Sequence, residues 1–405
     1  MQTLNLHINY ACPLKCRYCV QREDPKLWSL EITAEEMIQK VQDFMDFCGI
    51  SRCRVNISGG EPLLKYKDIQ KLIEHFPDNE YEISTSGYLL DREMAQWFSY
   101  YNVYYIFSVD GTEKVTNYLR PLANGEYGYF KQLKKNLPHI LYFSPNARAK
   151  LIVSKNLISE VYPTYLELER LGFKEIFITP NVYENEVDTH HPELSSGLWE
   201  EKDWKAFEEQ INLINKQICL GLKNNSQRCL ITNIFNPAVK MIFPDTSKEL
   251  NLKKCICTAL YYKGGSGPEK GQLHNFLSPI SLCMENLDDS LKTQEDLLLT
   301  AQRDKEALSD NICPLDPECP YLNSCIYSTC LAENVKAKTG NILIASPFQC
   351  KTQKIYHKAA LDFIWCLNNT SNEMSEWYWH KINQMEEVVK NGGENANEFL
   401  SCQNS

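Results

Sequence analysis

The chain has 405 residues, 43% of them hydrophobic and 11% aromatic, with 52 acidic against 42 basic side chains and a formal charge of −10. That is enough for two or three domains with full cores, and the acidic balance argues against non-specific nucleic-acid binding. No apolar run reaches the roughly 18 residues of a membrane span, and Met1–Tyr10 lacks the basic and apolar regions of a secretory signal, so a cytoplasmic location with no membrane partner is expected.

The first half alternates strand and helix patterns. Leu4, Leu6, Ile8 and Tyr10 alternate along a first strand, Thr3–Tyr10. A helix follows over Ala34–Phe47, with Thr33 as its N-cap. Further strands are expected at Cys53–Ser58, Glu80–Thr85, Val103–Val109, Ala149–Ser154 and Lys174–Thr179. Between and after them come helices at Asp68–Phe76, Asp91–Tyr101, Tyr127–Leu137 and Ser159–Leu171, the last closed by Gly172. Six such βα repeats predict an α/β fold, a partial (β/α)6 TIM-like barrel whose chemistry sits at the C-terminal ends of its strands. The expected division is a barrel over 1–200, a helical linker over 201–250, a small cysteine-rich domain over 251–350 and a helical tail over 351–405.

Seventeen cysteines in a chain without an export signal point to metal or cluster ligation, because a disulfide framework needs an oxidising compartment. Cys12, Cys16 and Cys19 lie just after the first strand with C-x3-C-x2-C spacing. Three thiolates suit a cubane iron–sulfur cluster with one iron left open, and the spacing alone also allows a structural zinc knot. After the second strand comes Ser58-Gly59-Gly60-Glu61-Pro62-Leu63. Paired glycines there allow close approach to a ligand, with backbone amides and carbonyls exposed, and Glu61 offers a carboxylate to an amino group.

With both motifs in place, the chain resembles the radical S-adenosylmethionine (SAM) enzymes. That resemblance implies a 4Fe–4S cluster on Cys12, Cys16 and Cys19, with the aromatic Tyr18 before the last cysteine. It also implies SAM chelating the open iron, with Gly59, Gly60 and Glu61 near its methionine amino group. Ser84-Thr-Ser-Gly-Tyr-Leu-Leu90 and Ser108-Val-Asp-Gly111 resemble two further family segments, with Ser86 where the family has asparagine. By the same resemblance Ser108 and Arg120 hold SAM, the arginine through the carboxylate, a task suited to a guanidinium fork. The family's His-Asp pair before that arginine is Thr116-Asn117 here.

Cys313, Cys319, Cys325 and Cys330, followed by Cys350, resemble the SPASM domain, although the spacings x5 and x4 replace the usual x2 and x3. The resemblance implies one or two auxiliary 4Fe–4S clusters. Cys313, Cys319, Cys325 and Cys350 would hold the distal one, and Cys330, Cys283 and Cys255 or Cys257 the proximal one. A single auxiliary cluster, or zinc in its place, stays open. The implied activity is an oxidoreductase that cleaves SAM reductively to a 5′-deoxyadenosyl radical and matures a ribosomal peptide by a crosslink or thioether. Its partners would be a precursor peptide or protein and an electron donor such as flavodoxin or ferredoxin. Two alternatives are an anaerobic sulfatase maturase and a non-catalytic metal-binding peptide scaffold. The first is weakened because Met284 stands where that group has an aspartate base.

Overall fold

The computed structural model describes residues 3–19, 31–126, 128–180, 199–243, 258–262, 273–277, 319–321 and 347–390. Seven parallel strands form one open sheet whose spatial order is its chain order. They are β1 (Thr3–His7), β2 (Arg54–Ser58), β3 (Glu80–Thr85), β4 (Val103–Ser108), β5 (Arg148–Val153), β6 (Glu175–Pro180) and a two-residue β7 (Leu230–Ile231). Such parallel neighbours require crossovers, and helices supply most of them: α1 (Ala34–Cys48), α2 (Tyr66–His75), α3 (Arg92–Phe98), α4 (Glu113–Leu119), α5 (Tyr129–Phe143), α6 (Val161–Arg170) and α7 (Glu201–Lys223). After β7 come α8 (Thr232–Ile242), an antiparallel hairpin of β8 (Thr258–Tyr262) and β9 (Leu273–Leu277), then α9 (Pro347–Asn368) and α10 (Glu373–Lys390).

Local sequence explains several boundaries. Thr33 caps α1 in a capping box with Glu36, and Gly49 ends it in the left-handed region at φ 65°. Asp91 caps α3 through the Met94 amide. The helix expected to end at Leu137 runs on through Pro138 to Phe143. Burial of Leu133, Leu137 and Ile140 on the core side outweighs the roughly 3 kcal/mol that an internal proline costs.

The two faces of the sheet differ. Leu4, Leu6, Val55, Ile57, Ile83, Phe107, Leu151 and Ile178 are fully buried in the helix-covered core. The intervening residues are largely polar and pair across strands. Asn56 donates to Asn5 at 2.8 Å, Arg54 pairs with Glu80 at 2.5 Å, and Arg148 lies 3.1 Å from Glu175 and 3.7 Å from Glu82. A sheet with one apolar and one polar face leaves the polar one for a ligand-bearing interior. His7 belongs to that face, and burial lowers its pKa to about 4.

Two expectations change. The stretch expected as a linker folds as α7 and packs Trp204, Phe207, Ile211 and Ile214 into the sheet's own core, followed by the seventh strand. The helical stretch expected in the tail is two helices, which bury Tyr356, Phe363, Leu367 and Tyr378 in that same core. Asn215 donates to the Ala359 carbonyl, and the Tyr356 hydroxyl donates to the Ile178 carbonyl of β6 at 2.6 Å. Among the described residues no helix is long and apolar enough to cross a membrane.

Candidate functional site

The site is built from the C-terminal ends of β1, β2, β3 and β4. The chain leaves β1 through Asn9–Ala11 and enters the cysteine loop. The β2 end runs directly beneath it: the amides of Gly60 and Glu61 donate to the carbonyls of Asn9 and Ala11, both at 2.9 Å. This contact explains the paired glycines. A Cβ at Gly59, where φ is +145°, would lie 2.4 Å from the Asn9 carbonyl oxygen. One at Gly60 would lie 2.4 Å from the carbonyl oxygens of both Tyr10 and Ala11. The two amides expected to face a ligand are therefore spent on holding the base of the cysteine loop. Gly60→Ala is expected to destabilise the protein by about 3 kcal/mol, measured by urea unfolding, because two backbones must separate to admit one methyl group.

Glu61 is buried, and its carboxylate points back into the protein. One oxygen accepts from the Thr85 hydroxyl at 2.6 Å and the Leu63 amide at 3.2 Å. The other accepts from the Ser86 amide at 3.0 Å and from the Ser86 hydroxyl. Asn9 donates to the Glu61 carbonyl at 3.0 Å. Glu61 thereby ties three strand ends together, and Ser86, the residue standing in for asparagine, supplies half of the bonds. Gly87 follows at φ +72°, where a Cβ would strike the Phe107 ring at 2.5 Å. The hydroxyl of Tyr129 bridges the carbonyls of Ser86 and Ser108, both at 2.7 Å, so Ser108 is fixed through its backbone while its half-buried side chain lies at the end of β4.

The other side of the cysteine loop rests on the chain after α4. The amides of Lys15 and Arg17 donate to the carbonyls of Pro121 and Leu119 at 2.7 and 2.9 Å, and Ala123 returns a bond to Pro13 at 2.7 Å. Arg17 lies 4.3 Å above the Tyr118 ring. Arg120, between these contacts, is buried and engaged in a fork with Asp110: Nε reaches one carboxylate oxygen at 2.6 Å and Nη2 the other at 3.0 Å. Nη2 also donates to the Tyr18 hydroxyl, which itself donates to Asp110, and Nη1 points at the Cys16 sulfur at 3.7 Å. Burial opposes the arginine's charge, Asp110 outweighs it, and the guanidinium stays charged far above its usual range. Burial likewise keeps the Tyr18 phenol neutral well above its usual range.

The side chains of Cys12, Cys16 and Cys19 are all half-buried. The Leu14 amide donates to the Cys12 sulfur at 3.4 Å. Burial pushes Cys12 up to about 12 and Cys16 up to about 11, and each feels the neighbouring thiols electrostatically. A metal centre binding here would displace protons from neutral thiols. A cubane takes each thiolate on a separate iron, and thiolate sulfur is the soft donor it needs. Three neighbouring thiols, two of them already receiving N–H donors, fit that group.

Residues 6–137 match the family model described as the radical SAM superfamily. The chain carries a radical SAM domain. It is 22% identical over 255 residues to the radical SAM cyclopropyl synthase TigE of Paramaledivibacter caminithermalis, covering 56% of this chain and 54% of that protein. The match spans about half the length of the curated relatives. Native anSMEcpe with bound AdoMet shares the fold with a TM-score of 0.66 at 18% identity, over 91% of this chain and 100% of that one. Streptococcus suis SuiB bound to the precursor peptide SuiA gives a TM-score of 0.51 at 13% identity, over 86% and 75%. Radical SAM proteins bind a 4Fe–4S cluster and SAM.

Of the expected auxiliary ligands, Cys319 and Cys350 lie among the described residues, while Cys255, Cys257, Cys283, Cys313, Cys325 and Cys330 lie outside them. Cys350 occupies the first turn of α9. Tyr321, two residues after Cys319, stacks on His357 of the same helix with ring centroids 4.9 Å apart. Sequence reasoning passed over three residues of the site, Asp110, Thr85 and Tyr129. Asp110 and Thr85 stood inside quoted motifs without an assigned role, and their partners are remote in the chain.

Proposed function

We propose that the protein is a radical SAM oxidoreductase that modifies a peptide or protein substrate, with Cys12, Cys16 and Cys19 as the ligands of its SAM-binding 4Fe–4S cluster. The observation that carries this reading is the three-cysteine loop clamped between the β2 turn below and Arg120 above, inside a radical SAM domain. When bound, the cluster and SAM supply one electron and a 5′-deoxyadenosyl radical for hydrogen abstraction. The chain's own part is placement. Gly60 and Glu61 fix the loop's base, Tyr129 fixes the ends of β3 and β4 side by side, and the half-buried Ser108 offers a hydroxyl toward the polar interior.

The peptide assignment draws on the fold shared with SuiB and anSMEcpe along most of the chain, including the part beyond the radical SAM domain. Cys319, beside Tyr321 against α9, and Cys350 in that helix would serve one auxiliary 4Fe–4S cluster with Cys313 and Cys325. Cys255 or Cys257, Cys283 and Cys330 would serve a second. The substrate would be a precursor peptide, and a flavodoxin or ferredoxin the electron donor.

Anaerobic reconstitution with iron and sulfide, followed by SAM and dithionite, is expected to yield 5′-deoxyadenosine, detected by chromatography. A fully reconstituted protein that forms none ends the proposal. Mass analysis with a candidate precursor is expected to show loss of two hydrogens for a crosslink or thioether. A formylglycine product would indicate a sulfatase maturase.

A further inference from the structure

Arg120 spends its donors within the protein. Four of its five N–H groups have partners: two on Asp110, one on the Tyr18 hydroxyl and one aimed at the Cys16 sulfur. Asp110 is buried at the end of β4 and is itself fixed, because one of its oxygens also accepts from the Ile152 amide of β5 at 3.4 Å. A buried carboxylate that accepts a full guanidinium fork is a rigid aiming device: two parallel bonds set the plane of the guanidinium and so the direction of its remaining N–H groups. That direction is the sulfur of Cys16.

We infer that Asp110 is a positioning residue that holds Arg120 against Cys16, so that a charged N–H···S bond to this ligand sets how easily the cluster is reduced. The inference rests on the cluster assignment above. Its physical basis is general. Hydrogen bonds to cluster sulfurs, and positive charge beside them, favour the form carrying the extra electron, so removing them lowers the reduction potential. Tyr18 closes the triangle, since its hydroxyl bonds both Asp110 and Arg120 while its ring packs beside Val115 and Leu119. Residues of β4, α4 and the cysteine loop thus meet on a single guanidinium.

The test is an EPR-monitored redox titration of the anaerobically reconstituted full chain without SAM. The signal of a Cys12/Cys16/Cys19→Ala variant is subtracted to isolate the N-terminal cluster. Arg120→Gln is expected to shift the midpoint to a more negative potential. Arg120→Lys, which keeps the charge but loses the fork, is expected to fall between. In an Asp110→Asn background the Arg120→Gln shift is expected to be smaller than in the native one, because the arginine is no longer aimed. An unchanged midpoint in Arg120→Gln with full cluster content, and loss only of SAM binding, overturns the inference and returns the arginine to the cosubstrate carboxylate. Equal shifts in the two backgrounds overturn the role of Asp110. A native spectrum indistinguishable from that of the triple-cysteine variant removes the cluster assignment itself, and this inference with it.

Discussion

Cys16→Ala is expected to abolish 5′-deoxyadenosine formation and to lower iron content by about four atoms per chain, while the fold is expected to survive. The fold should survive because the Cys16 side chain is only half-buried and its bond from Arg120 is a long N–H···S contact. The loop keeps the backbone bonds from Lys15, Arg17 and Ala123 that anchor it. The activity does not survive, because two thiolates hold a cubane poorly and leave a second iron without a ligand. Iron and sulfide assay, product chromatography and a thermal melt check the three parts. Product formation near the native level would remove Cys16 from the ligand set. Cys53 is the matching control. It is a fully buried cysteine of the apolar core, with its thiol pushed up to about 12 by burial, and Cys53→Ala should leave iron and product formation intact.

Glu61→Ala is expected to cost about 4 kcal/mol of stability as well as activity. The carboxylate accepts four hydrogen bonds, two of them from the buried amides of Leu63 and Ser86. Truncation leaves those amides without a partner, at about 1–3 kcal/mol each. The hydroxyls of Thr85 and Ser86 can rotate to other acceptors and lose less. Glu61→Gln retains one acceptor oxygen but sets an NH2 group against a donor pair, so its cost should be about half as large. Urea unfolding of both variants measures this. A loss under about 1 kcal/mol for the alanine variant would mean that the carboxylate is held in the protein for a ligand's sake alone.

Glu61 also shows where sequence reading stops. Its motif, its position after β2 and its carboxylate chemistry were visible in the chain. The direction of that carboxylate was not, because its partners Thr85 and Ser86 sit 24 and 25 residues further on. The strands of the first half were legible because alternation marks a sheet with one buried face, and α1 was legible from the helical spacing of its apolar residues behind the Thr33 cap. The seven-residue α4 was missed although the equally short α3 was expected. The two-residue β7 was missed because it has no room to alternate. Arg120 stood out by spacing, whereas its pairing with Asp110, ten residues earlier, depends on how α4 folds back over the end of β4.

The bond from Tyr356 to the Ile178 carbonyl joins residues 178 positions apart. At about 5–20 residues per second on the ribosome, β6 emerges roughly 10–35 s before the tyrosine that completes it. Once α7 and α8 are made, their apolar sides that receive α9 wait for that helix through the rest of the interval. A nascent chain stalled before Pro347 is therefore expected to aggregate more readily than the full chain.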